Sequence, residues 1–366
     1  MDRRQVLAYR IAEHGLHRTA RDVTDLAVVR AGLQDSMRDT ALLALVARLG
    51  EPVSPADDPR LVLAWTLRGA PHYHLDVAEV TRALVPLDDA DALARMLWQR
   101  KDLAATGLAA SEVVFTAAAA IRAVVKEPMT KGAVSTAVTK KLPPEFSRWC
   151  RGCNATHIQE QLMRIAAPHA GVRLVSGATP ATLAPLKGRG RMRRTPDVAA
   201  ATSVVESYLR LNGPASAGDA AEFAGTARAV VDKTWPSDLA SVKVEGKVRY
   251  LPSSSLPALE NPPEPDVVRL LPPWDPFIQA RDKALLVPDP ARRKEVWKML
   301  GNPGVLLADG DIAGTWRTKG SGAKLAFTVT AFDPLRPGIR EEAEAEAARV
   351  AEARGFEKHT VTWTES

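Results

Sequence analysis

The sequence predicts a mostly helical α+β chain, with three tandem winged-helix units followed by a small β-rich C-terminal domain. Helical periodicity, broken at intervals by glycine or proline, runs from residue 3 to residue 236. Three times a helical stretch closes on a β-prone segment that would form its wing. Beyond a proline-rich stretch at 253–265 the pattern changes to strand-like runs. These shifts place the units at 1–105, 106–190 and 191–256, with the last domain at 257–366.

In the first unit, Val6, Leu7, Arg10 and Ile11 recur at three- and four-residue spacing, which predicts a helix over 3–15. A second helix is expected at roughly Arg21 to Ala31. It ends at Gly32, a residue that takes positive φ without steric cost. A third should begin near Asp35 or Ser36, where Ser36 and Asp39 have capping-box spacing. Its buried face is predicted to carry Leu42, Leu45, Val46 and Leu49. Val62 to Leu67, a turn at Gly69 to Pro71, and His72 to Leu75 would form the wing. Asp76 then caps a helix through Leu84, and Asp88 starts another through Arg100.

The second unit has helices at Ser111 to Val125, after Thr130 until Pro143 and Pro144, and at His157 to Ala167, with Val172 to Val175 as its wing strand. In the last helix Ile158, Leu162 and Ile165 share a face. The third unit has helices at Thr202 to Leu211 and Gly218 to Ala224, and one capped by Thr226 that ends before Pro236. Ser241 to Leu251, SVKVEGKVRYL, alternates valine with charge around Glu-Gly, a hairpin signal. The stretch at 253–265 reads as a linker. Strand-like runs follow at Gly304 to Ala308, Ile312 to Thr318 and Lys324 to Phe332. A helix at Glu341 to Arg354 and a last strand at Thr360 to Trp363 complete the chain.

Composition narrows the function. The 366 residues, 46% hydrophobic and 25% charged, describe a globular chain with room for two to four domains. No run is long and apolar enough to span a membrane, and MDRRQVLAYR lacks a signal's apolar core, so a cytoplasmic protein without membrane contact is expected. The net charge of +6 is unevenly spread. Between residues 117 and 195 there are 14 Lys or Arg against three Glu. A basic middle suits a polyanion, because each neutralised phosphate releases counterions, although a solvated basic face has the same composition. Candidate contacts to double-stranded DNA are Arg38, Arg68, His72 and His74, then Lys131, Lys140 and Lys141. The basic linker KGRGRMRRTP adds Lys187, Arg189, Arg191, Arg193 and Arg194.

Gln34, Asp35 and Ser36 stand at the start of a helix, where polar side chains can project into a groove. The same three residues also read as a turn and its cap. Cys150 and Cys153 form one CxxC half-site near His157 and His169. That half-site invites a zinc reading, but there is no second CxxC and no zinc-finger histidine spacing, so structural zinc and a redox dithiol stand as alternatives to two plain thiols, and no metal and no cofactor are assigned. The chain has no phosphate-binding glycine loop, no HExxH and no serine nucleophile elbow. Nothing in the pattern demands a dimer, and a monomer is expected.

Three separated blocks occur in one order: GLQ before a leucine-rich helix, WTLRGAPH, and LLPPWDPFIQARDKALLVPD with DGDIAGTWR. Over nearly its full length the chain resembles the winged-helix family related to AlkZ, bacterial DNA glycosylases that excise alkylated purines and unhook interstrand crosslinks. The resemblance implies three winged helices forming a C-shaped basic channel completed by a β domain. The family's catalytic motif is Gln-x-Gln, or Gln-x-Asp in a second branch, and it falls on Gln34, Asp35 and Ser36. The first glutamine is present, and Ser36 replaces the second polar residue. Ser36 can hold a water but is no general base near neutral pH. The resemblance therefore implies a monofunctional DNA glycosylase in DNA repair or self-resistance, with Gln34 placing the water and Asp35 or Ser36 assisting. The alternatives are a winged-helix DNA-binding protein without catalysis, or a regulator.

Overall fold

Alternating β-branched and aromatic residues in the C-terminal part of the chain build the largest sheet in the computed structural model, which describes residues 1–37, 39–51, 53–96 and 104–365. Helix occupies 41% of the chain and strand 22% in small sheets, so the mostly helical α+β expectation holds. The chain divides into two compact units. One comprises Met1–Asp58, Ser207–Asp219 and Ser237–Ser366, and the other Pro59–Glu206 and Ala220–Pro236.

In the first of these, five strands lie in the order Val268–Leu271, Gly304–Ala308, Asp311–Ser321, Lys324–Ala331 and Lys358–Glu365. All neighbours are antiparallel except the last pair, which is parallel because the helix Ile339–Ala353 carries the chain back between them. Trp316, Phe327 and Val329 from the sheet, Ala347 and Val350 from that helix, and Leu43 and Val46 from the N-terminal segment share one core. The first helix, Arg3–Glu13, buries Val6, Leu7, Tyr9, Arg10 and Ile11. The hairpin Leu239–Val244 and Lys247–Pro252 turns at Glu245 and Gly246, where its alternation predicts.

Gly304 faces Trp316 across the sheet, and a Cβ there would lie 2.3 Å from Trp316 Cε2 and 2.6 Å from the Leu271 carbonyl oxygen. That carbonyl accepts the Trp316 indole N–H at 2.9 Å, which holds the ring in place. Gly304→Ala is therefore expected to destabilise this unit by about 2–3 kcal/mol, read as a lowered urea midpoint at unchanged slope.

The second unit contains the predicted hairpin Val62–Trp65 and Pro71–His74, with Ala64 opposite His72. Asp76 and Asp88 accept from Glu79 N and Asp91 N and cap the helices Val77–Ala83 and Asp89–Arg95. The expected end of the latter near Arg100 lies outside the described residues. Helices Ala110–Val124, Lys131–Thr139 and Glu160–His169 follow, with Thr130 capping the second.

Five local expectations are corrected. The helix expected at Asp35 or Ser36 begins at Thr40, because Asp39 is held at φ 66° and the chain turns before it can coil. The segment from Arg21 to Ala31 is a short 3-10 turn, Val23–Asp25, then Ala27–Ala31, because an Asp22 capping box starts a separate turn. His157 and Ile158 belong to the strand Ala155–Ile158, paired with Ser147–Cys150, since cross-strand pairing outweighs the helical spacing of Ile158. Thr226 donates to Asp91 Oδ1 and is not the cap of Arg228–Val231. The proline-rich stretch forms the helix Leu256–Glu260, whose Leu259 is buried with Val6 and Tyr9.

Candidate functional site

Leu33 and Gln34 are extended, and Gln34 is almost wholly buried at 7% exposure while Ser36 is exposed. The motif thus runs from the interior to the surface within three residues. Gln34 Nε2 donates to Ser36 Oγ at 2.8 Å. Asp35 points elsewhere: its Oδ1 accepts from Ala41 N and from the Thr40 hydroxyl, both at 3.1 Å. Burial pushes the Asp35 carboxyl above the ordinary carboxylate range, against the opposing pull of those two donors. Asp35 therefore caps the helix Thr40–Val46 from five residues upstream, and the Ser36–Asp39 capping box does not form. Asp39 instead pairs with Arg354 at 3.2 Å.

Thr40 is the residue here that sequence reasoning missed. Its hydroxyl lies within 3.0–3.1 Å of the Gln34 carbonyl, Asp35 Oδ1 and the Met37 carbonyl, and so ties the turn to the helix. A threonine five residues after an aspartate is too common to signal this. Behind the same helix, Arg48 is fully buried and paired in bidentate fashion with Asp275 at 2.8 Å, and Arg10 is paired likewise with Asp282. Both carboxylates come from LLPPWDPFIQARDKALLVPD, so that late block holds the N-terminal helices.

The basic candidates lie in the other unit, apart from Arg38, which is outside the described residues. Arg68, at φ 58°, donates to the Phe223 carbonyl and lies 5.2 Å from the centroid of the Phe223 ring. His72 and His74 are buried, and Thr66 Oγ1 stands 2.9 Å from His72 Nδ1 and 3.0 Å from His74 Nε2. Burial, then Arg68 and His74, holds His72 well below the ordinary histidine range, hence neutral. Lys131 pairs with Glu160 at 2.9 Å. Lys140, Lys141, Lys187 and Arg191 are exposed. Arg193 pairs with Asp197 at 3.1 Å, and Arg194 pairs with Glu112 at 3.3 Å and covers the Phe115 ring. Such exposed pairs are worth about 0–1 kcal/mol and yield readily to a phosphate. Arg189 is partly buried beside Arg122, and burial lowers its pKa.

His169, expected near the cysteines, is instead buried edge-on to Phe115 at 5.5 Å. Burial, then Arg95, lowers its pKa to about 4. The unfolded chain takes up a proton near pH 6.5 that the folded chain refuses until about 4. The neutral ring's contribution is therefore full above pH 6.5 and is lost as pH falls toward 4, by roughly 3 kcal/mol. Hydrogen-exchange protection of Ala110–Val124 is expected to fall over that window and to flatten in His169→Gln; an equal slope in the variant would refute the assignment.

His157 and not His169 joins the cysteines. One ring nitrogen of His157 and the sulfurs of Cys150 and Cys153 lie within 4.8 Å of one another, and both cysteines are free thiols. The Cys150 thiol is lowered to about 7, first by the Cys153 backbone N–H and then by His157.

Among the described residues, no helix is long and apolar enough to cross a membrane. A family model described as DNA glycosylase AlkZ-like matches residues 8–353. The solved structure of Streptomyces sahachiroi DNA glycosylase AlkZ superposes with a TM-score of 0.77 at 19% identity, covering 100% of both chains, a likeness of fold. No curated protein sequence matches the chain.

Proposed function

The chain belongs to the AlkZ-like DNA glycosylase family, and we propose that it is a monofunctional enzyme releasing cationic N7- or N3-alkylated purines from double-stranded DNA, interstrand crosslinks included. The observation that carries this reading is the 2.8 Å bond from the Gln34 amide to the Ser36 hydroxyl, at the two positions matching the family's polar pair. Because Ser36 Oγ accepts there, its own hydrogen is directed away from Gln34, toward a water or a sugar oxygen. Gln34 and Ser36 would hold the water, while Asp35 keeps the turn in register through the helix start.

In the reaction the glycosidic bond breaks and its electron pair neutralises the alkylated base, which leaves without needing an acid. The water oxygen bonds to the anomeric carbon and its proton passes to solvent. A leaving group already charged asks little of the protein beyond placing that water, which accommodates a serine where the family motif has a glutamine or an aspartate. No lysine lies beside the motif in the sequence, so nothing suggests a Schiff base and strand cleavage, and the proposal is a hydrolase. The exposed Lys140, Lys141, Lys187 and Arg191 suit phosphate contacts. Arg193 and Arg194 would exchange their surface partners for phosphate. Three winged helices at 1–105, 106–190 and 191–256, and a cytoplasmic, nucleoid-associated monomer without cofactor, belong to the same proposal.

The test is incubation with a duplex carrying N7-methylguanine at fixed salt. Free N7-methylguanine, from a strand that stays intact until heated in alkali, is expected. Salt-sensitive duplex binding without release of this or any other cationic purine would overturn the proposal in favour of a non-catalytic DNA-binding protein.

A further inference from the structure

We propose that Cys150, Cys153 and His157 bind one Zn²⁺ ion that staples the hairpin Ser147–Cys150 and Ala155–Ile158, its fourth position taken by water. The strand register carries the first part of the argument. Arg148 pairs with His157 and Cys150 with Ala155, so Cys150 and His157 are diagonal neighbours on one face, within side-chain reach. Asn154, at φ 50°, turns the intervening loop, and Cys153 completes the group. Tetrahedral bonds of about 2.3 Å to sulfur and 2.0 Å to nitrogen set such atoms about 3.5–3.8 Å apart. Donors already within 4.8 Å close on an ion by small side-chain rotations.

The histidine is prepared for this. Its Nδ1 stands 2.7 Å from the Ile158 carbonyl, which accepts only from a protonated nitrogen and so puts the lone pair on Nε2. Nε2 is buried and has no hydrogen-bond partner among the described residues. A backbone carbonyl orienting one ring nitrogen while the other meets a metal is the usual outer support of such ligands. Two thiols and an imidazole are soft to borderline donors, which select zinc over magnesium or calcium.

The tip of the hairpin lies in water. The hairpin is a two-stranded sheet of four-residue strands, and residues 151–156 are all exposed. Phe146 and Ile158 anchor its base in the core. Short isolated hairpins are marginal in water, and a metal supplies the missing constraint. Binding converts both thiols to thiolates, releasing two protons to solvent.

The test uses the untagged full-length chain. It is loaded with Zn²⁺ and gel-filtered, and its metal content is compared with Cys150→Ser, Cys153→Ser and His157→Gln. One zinc per chain, Kd below about 1 μM, and loss of that zinc in each variant are expected. Co²⁺ in its place should give thiolate-to-metal charge transfer and the intense visible bands of a tetrahedral site. The variants' unchanged far-UV spectra would separate metal loss from misfolding. Hydrogen exchange at residues 147–158 should quicken in each variant and, with the wild type, on chelation. A chain that holds no zinc, or holds it equally in Cys150→Ser, would overturn the proposal, as would a Cys150–Cys153 disulfide formed in its place.

Discussion

Gln34→Ala is expected to slow single-turnover release of N7-methylguanine by about 10²-fold or more, with duplex affinity unchanged. Gln34 is buried and donates to Ser36, so its loss removes both the amide proposed to orient the water and the contact that aims the hydroxyl. Ser36→Ala should cost less, about tenfold, because one hydroxyl is lost while the amide remains. Ser36→Asp introduces the carboxylate of the motif's Gln-x-Asp form, and is expected to release base faster than wild type. Affinity should stay level, since the residues proposed to contact phosphate lie outside the motif. Wild-type release by Gln34→Ala would remove Gln34 from the chemistry.

Asp275→Ala is expected to destabilise the unit containing the Gln34 motif by about 3–5 kcal/mol. Arg48 and Asp275 are fully buried, and Arg48 also donates to the His14 and Ala44 carbonyls at 2.7 and 2.8 Å. Deleting the carboxylate leaves a guanidinium charge out of water with only neutral acceptors. Asp275 Oδ1 also accepts from Phe277 N, so the 3-10 turn Pro276–Gln279 loses its cap. The double variant Arg48→Met/Asp275→Leu removes both charges and should recover much of the loss. Urea unfolding of the three proteins checks this; a loss below about 1 kcal/mol for Asp275→Ala would refute it. Because Arg48 lies just past the helix that Asp35 caps, the single variant should also lose excision activity through mispositioned Gln34.

What was legible in the sequence is what short-range chemistry decides. The hairpins at 62–74 and 239–252, the caps Asp76 and Asp88, and four of the five strands of the C-terminal sheet follow from relations spanning a few residues. The position of Gln34 before a leucine-rich helix, and the family resemblance, were legible too. Tertiary structure decided which polar groups leave water. It moved the helix start to Thr40, hid Arg10, Arg48, His72 and His74, and docked Leu256–Glu260. It also brought His157, not His169, to the cysteines, although both lie downstream in the same segment. The physical reason is range. Capping and turn formation depend on neighbours along the chain, whereas burial of a charge depends on whether a carboxylate more than 200 residues away arrives to meet it, as Asp275 does for Arg48.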